Sequence, residues 1–228
     1  MPYPELDARV SEVRSRIEEA AKRGGRNQRV TIVAVTKTHG ADAVEAAYNA
    51  GLVDVGENRV QEAIAKMSDV KVPVRWHLIG HLQRNKVKSL DRFALFHALD
   101  SVRLADAANA FGIESGTTVN ALVQVNVVGE ETKGGFSLSE LEENATKLAS
   151  LEGVRVKGVM TMARLEADES ELRRTFGGGR RALSILAEHG AQATELSMGM
   201  SGDYEIAVEE GATMVRLGTT LFGAREQE

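Results

Sequence analysis

The sequence contains no cysteine, which excludes disulfides, thiolate catalysis and zinc–thiolate centres. Its three prolines all lie before residue 74. No Pro/Ser-rich stretch or charge block interrupts it, so residues 1–228 are expected to form one domain. Twenty-eight basic residues against thirty-three acidic ones leave a net charge of -5. That balance argues against nonspecific binding to nucleic acid or to an anionic membrane. The longest strongly apolar run, residues 30–35, is far too short to cross a bilayer. Residues 1–16 alternate charges from Glu5 onward and lack the apolar centre of a signal peptide. A cytoplasmic protein is the expectation.

What is present is ordinary globular material, with 43% hydrophobic and 27% charged residues. Short β-branched runs alternate with longer amphipathic ones. The strand-like runs are residues 30–36, 53–55, 75–79, 95–98, 119–125, 155–159, 193–196 and 213–216. Between them lie helical patterns at 41–50, 59–67, 102–111, 138–150, 169–188 and 204–210, and a further one at 5–23 precedes the first strand. Eight strands alternating with helices suggest an α/β fold, a single (β/α)8 TIM-type barrel over about 30–223 with an extra N-terminal helix. An open doubly wound sheet is the alternative, although no strand ends in the G-x-G-x-x-G of a dinucleotide crevice. Gly177-Gly178-Gly179 falls inside the helical pattern 169–188. Interior glycines cost roughly 1 kcal/mol each against alanine, so a split or frayed helix is expected there, away from the mouth.

Ligands of such folds gather beyond the carboxyl ends of the strands. Lys37 follows the first strand, on the same face as Val33 and Val35. Read alone, it is a lysine whose stem lies on apolar walls and whose charge reaches water. Burial lowers an amine's pKa, and a neutral amine attacks an aldehyde. After the second strand, Gly56-Glu57-Asn58 offers a polar rim; Asn58 is also a good helix N-cap, with Glu62 early in the helix. His77 and His81 have the spacing of metal ligands, but a strand and a loop carry them and no third ligand is evident. The basic run Arg84, Lys86 and Lys88 reads as a solvated helix face. Lys133, in a polar loop ending in Gly134-Gly135, is a second candidate amine, though a loop lysine is more readily solvated.

The seventh and eighth strands are followed by Ser197-Met198-Gly199-Met200-Ser201 and Arg216-Leu217-Gly218-Thr219. Each is small, hydroxyl-bearing and opens a helix; one alone is an ordinary cap, but two side by side suit a phosphate. Strands one and eight are neighbours in a closed barrel. An aldehyde on Lys37 and a phosphate in this cup can therefore belong to one ligand, and pyridoxal 5'-phosphate has that layout.

At these segments, together with Val35-Thr36-Lys37-Thr38, His77-Leu78-Ile79-Gly80-His81-Leu82-Gln83 and Gly158-Val159-Met160-Thr161-Met162, the chain resembles the pyridoxal phosphate homeostasis proteins. Their barrel is similar to the N-terminal domain of bacterial alanine racemase. The resemblance implies that Lys37 carries the cofactor as a Schiff base. It implies that Ser201, Gly218 and Thr219 hold the phosphate, that Asn58 and His77 lie near the ring, and that Arg216 faces the ring nitrogen or the phosphate. Lys133 corresponds to a loop lysine that helps to receive or release cofactor.

Three activities use such a site: a carrier that buffers or delivers the cofactor, to apo-enzymes among other partners; a racemase-like enzyme; and a lysine-imine aldolase on a sugar phosphate. Racemisation needs acid/base groups on both faces of the ring. Tyr204 is the one tyrosine whose position in the sequence brings it toward the mouth. A cation at the ring nitrogen disfavours its protonation and suits a holder. The expectation is a non-catalytic, monomeric pyridoxal phosphate protein.

Overall fold

The computed structural model describes residues 3–129 and 134–223. Eight parallel strands, β1 (Thr31–Val35), β2 (Asp54–Glu57), β3 (Arg75–Leu78), β4 (Leu95–Leu99), β5 (Val119–Gln124), β6 (Val154–Met160), β7 (Glu195–Ser197) and β8 (Met214–Leu217), close into a barrel. They pair in sequence order, and the barrel shuts where β1 lies beside β8, with Val33 opposite Arg216 and Ala34 opposite Leu217. The expected single (β/α)8 barrel is therefore present, and the open sheet is not. Each expected strand appears, with ends displaced by a residue or two.

Helices α1 (Leu6–Arg23), α2 (Ala41–Asn49), α3 (Val60–Asp69), α4 (Val102–Ser115), α5 (Leu138–Ala149), α6 (Glu169–Glu188), α7 (Tyr204–Glu209) and α8 (Thr219–Phe222) surround the strands. A 3-10 helix, Arg84–Arg92, replaces a full α-helix between β3 and β4. Local chemistry starts several of these elements. Ser137 and Glu140 form a reciprocal capping box on α5, and Asp168 accepts the Glu171 amide at the head of α6. Every residue of β2, β4 and β8 is buried, as a barrel wall covered on both faces requires. Alternation assigns the faces: the missing Cβ of Gly56 would touch Val33 and Ile79 inside the barrel, whereas Glu57 turns out toward α3.

Two local expectations are corrected. The head of α3 is capped by neither Asn58 nor any side chain; its N-cap is Arg59, in extended conformation. The helix containing Gly177-Gly178-Gly179 is continuous over twenty residues. A Cβ on Gly178 would lie 2.3 Å from Val127 Cγ1, and one on Gly179 3.1 Å from Thr161 Cγ2. The glycines thus let α6 approach the loops after β5 and β6, so they border the mouth after all. No helix of the described residues is long and apolar enough to cross a membrane.

Candidate cofactor site

Lys37 leaves the end of β1 half-buried on the inward side, and no hydrogen bond or ion pair to another described residue engages its amine. Across the β1–β8 seam, the backbone of Gly218 lies against Val35; a Cβ there would stand 3.5 Å from Val35 O. Gly218 is the N-cap of α8, and Thr219, its first residue, is exposed. Ser201 Oγ accepts the Thr220 amide at 3.2 Å, which ties the loop after β7 to the head of α8. Gly199, at φ +92°, makes the turn that starts this loop. Lys37, Gly218, Thr219 and Ser201 therefore gather at one corner of the mouth. An amine beside a cup of hydroxyls and exposed amides fits a ligand carrying an aldehyde and a phosphate.

Arg216 lies beneath this corner, buried inside the barrel. It donates from Nη1 to Ser197 Oγ at 2.6 Å and from Nη2 to Thr161 O at 3.1 Å. Burial pulls its pKa down to about 10, against the opposing pull of Asp203. Ser197 is the last residue of β7, not part of the loop. Its Oγ meets His97 Nδ1 at 2.9 Å, His97 Nε2 meets His77 Nδ1 at 2.8 Å, and His77 Nε2 meets Asp54 Oδ1 at 2.9 Å. Arg75, at the opposite face of the barrel, holds both oxygens of Asp54 at 2.8 and 2.6 Å.

The end groups fix the two terminal bonds of this chain. A guanidinium only donates and a carboxylate only accepts. His77 Nε2 therefore donates to Asp54, and Ser197 Oγ accepts from Arg216. His97 is fully enclosed; burial, then the neighbouring His77 and Arg216, hold its pKa well below the ordinary histidine value. Burial pushes the Asp54 carboxyl up, but hydrogen bonds from His77 and Arg75 outweigh it and leave it below the usual carboxylate range.

Both ring nitrogens of His77 are thus committed inside the barrel, three hydrogen bonds from Arg216. His81 stands apart on the rim, paired with Asp100 at 2.8 Å. Among the described residues no group of three or more His, Asp or Glu could hold a metal ion. Asn58 is half-buried just beyond β2, where alternation returns it to the inner side. Glu57 is no part of the rim: it is buried behind the wall, held by Lys66 Nζ at 2.5 Å and Thr36 Oγ1 at 2.6 Å. Burial raises its pKa against those two bonds. Tyr204 packs toward Arg16 and Glu12 of α1 and away from the mouth. Lys133 lies outside the described residues.

Sequence reasoning passed over Asp54, His97 and Lys66. Each carried a signal. Asp54 and His97 are ionisable residues inside barrel strands, and Lys66 continues the apolar stripe Val60–Ala63 at a spacing of three.

The model of the alanine racemase N-terminal domain matches residues 9–226. The pyridoxal phosphate homeostasis protein of Aquifex aeolicus is 40% identical over 222 residues, 96% of this chain and 97% of that protein. The chain belongs to the pyridoxal phosphate homeostasis protein family. Among solved structures, PipY of Synechococcus elongatus superimposes with a TM-score of 0.87 without pyridoxal phosphate, at 35% identity over 96% of this chain and 100% of that one. Its form with pyridoxal phosphate bound gives 0.85 at 34% identity, over the same shares of each chain. The family expectation drawn from the motifs therefore holds along nearly the whole chain.

Proposed function

We propose that this protein holds pyridoxal 5'-phosphate through Lys37 in the cytoplasm, and buffers or delivers it without catalysis of its own. The observation that carries the reading is the meeting of Lys37 with Gly218, Thr219 and Ser201 across the β1–β8 seam. A relative of the same fold binds this cofactor. When bound, the cofactor supplies an aldehyde, which condenses with an amine to form a carbon–nitrogen double bond with loss of water. Lys37 provides that amine, and the Ser201 hydroxyl and the amides at the head of α8 supply phosphate donors. Asn58, on the inner side, would flank the ring, and His77 supports the floor through the chain to Arg216. Arg216, on that floor, would face the ring nitrogen or the phosphate.

Two features support a holder over a racemase. A guanidinium facing the ring nitrogen would oppose its protonation and so weaken the ring as an electron sink. Tyr204 is turned toward α1, so it offers no base for the second face. Pyridoxal phosphate itself is the principal partner, with apo-enzymes that need it as proposed recipients and a monomer as the working unit.

The test is reconstitution with pyridoxal phosphate, borohydride reduction and peptide mapping. A phosphopyridoxyl group on Lys37, together with no turnover across an amino-acid panel, is expected. A colourless protein, an adduct on another lysine, or racemisation that Lys37→Ala abolishes would each overturn the assignment.

A further inference from the structure

Behind the wall that carries Lys37 lies a second polar cluster, on the side facing α3. Lys66 is 6% exposed and Glu57 is fully buried. Lys66 Nζ donates to Thr36 O at 2.8 Å and to Glu57 Oε1 at 2.5 Å. The same Glu57 oxygen accepts Thr36 Oγ1 at 2.6 Å. Glu62, one helical turn before Lys66, accepts the Thr38 amide at 2.5 Å and stands 3.6 Å from Lys66 Nζ. The two residues flanking Lys37 are therefore both held by side chains of β2 and α3.

Three further facts give this cluster a purpose beyond packing. Thr38 has φ +68°, in the left-handed region that β-branched residues rarely enter, and the bond from its amide to Glu62 holds it there. Glu57 Oε2 is buried with no hydrogen-bond partner. Stability alone does not call for such a cluster, since apolar side chains of like volume often replace a buried ion pair without loss. Every interaction that Lys66 makes outside its own helix converges on the backbone before Lys37 or on the carboxylate that grips Thr36.

We propose that Lys66, Glu57 and Glu62 form a clamp that fixes the Thr36–Thr38 backbone in the conformation that aims the Lys37 amine into the mouth. They are positioning residues, and the proposal rests on Lys37 being the anchoring amine. Capture of an aldehyde needs the amine held near one attack position, and a misplacement of about 1 Å can cost on the order of 100-fold in rate. Binding of the phosphate makes no such demand on Lys37.

The two steps separate experimentally. Pyridoxamine 5'-phosphate has no aldehyde and cannot condense with the lysine, so its affinity reports the cup alone. In Lys66→Met and Glu57→Gln, pyridoxamine phosphate should bind within about twofold of wild type, while the rate of borohydride-trappable capture of pyridoxal phosphate falls about tenfold or more. Capture at the wild-type rate overturns the clamp. Parallel loss of pyridoxamine phosphate binding overturns it too, because that marks a merely structural role. Glu62→Ala tests the same point should the buried variants fail to fold. It frees the Thr38 amide from a partly exposed partner, and slower capture at near-wild-type thermal stability is expected; unchanged capture overturns the proposal. Wild-type protein that binds pyridoxamine phosphate yet never captures pyridoxal phosphate would overturn both the clamp and the role of Lys37.

Discussion

At the scale of single residues, the interior is governed by groups that must agree about where protons sit. His97 shows what such agreement costs. It is neutral in the fold, and its pKa lies well below the ordinary value because burial, His77 and Arg216 all disfavour its cation. The unfolded chain takes up that proton near pH 6.5 and the folded chain does not. Stability from this group is therefore complete above about pH 6.5 and falls as the pH drops, by up to about 1.4 kcal/mol per pH unit. Glu57 works in the opposite sense above the ordinary carboxyl value of 4.5, since its folded pKa is raised. Comparison of the wild type with a single variant isolates the histidine. His97→Gln keeps a donor and an acceptor but does not titrate. Urea unfolding at pH 7.5 and 5.5 should show a smaller loss of stability for the variant than for wild type; equal losses would place the titration elsewhere. The sequence displayed His97 and Asp54 plainly, as ionisable side chains in strands. It could not pair them, because the partners come from β2, β3, β4, β7 and β8 and depend on how those strands are staggered around the barrel. Lys37, by contrast, was legible: strand alternation and position at the end of β1 are local properties.

At the scale of elements, α6 shows how a local rule and a tertiary contact divide three neighbouring glycines. A Cβ on Gly177 would meet nothing nearer than Arg180 Nη2 at 3.9 Å. Gly177→Ala should therefore recover the helix propensity that glycine forfeits, about 1 kcal/mol, or a rise of roughly 2–4 °C in melting temperature for a domain of this size. Gly178→Ala gains the same propensity but drives a methyl to 2.3 Å from Val127. It should melt lower than Gly177→Ala and disturb the loop after β5. Calorimetry on both variants checks the pair, and equal melting temperatures would remove the contact from the account. Helix propensity is read along the chain, so the sequence suggests a break here. That a loop from another part of the fold fills the notch is invisible until the barrel closes. The same limit hid the role of Glu57. The sequence placed it on the rim beyond a strand ending at residue 55, whereas β2 runs on through Glu57 and turns it toward Lys66.

At the scale of the whole molecule, closure is what makes a site. Lys37 and Thr219 are far apart in sequence and become neighbours because β1 and β8 complete the ring. Periodicity and strand count carried that far, and the strand-end motifs identified the family before any coordinate. Ligand binding at the seam joins the first and last strands, so it should stabilise the barrel as a unit. At a ligand concentration 100 times the dissociation constant, the gain is about 2.7 kcal/mol, a shift of several degrees in melting temperature. Lys37→Ala should keep only the part contributed by the phosphate cup. A shift with pyridoxal phosphate that is equal in both proteins would show that the lysine contributes nothing to binding.

The chain from Arg216 to Asp54 has a further consequence. Arg216 near the mouth and the Asp54–Arg75 ion pair near the opposite face are joined through two imidazoles and a hydroxyl, each bonded to the next. A groove of 590 Å³ at the far end, lined in part by Asp54 and Arg75, opens that end to water. Loss of any one member leaves a buried neighbour without its partner, whichever face of the barrel the change is made on. The two faces of the barrel thus share one unbroken row of hydrogen bonds.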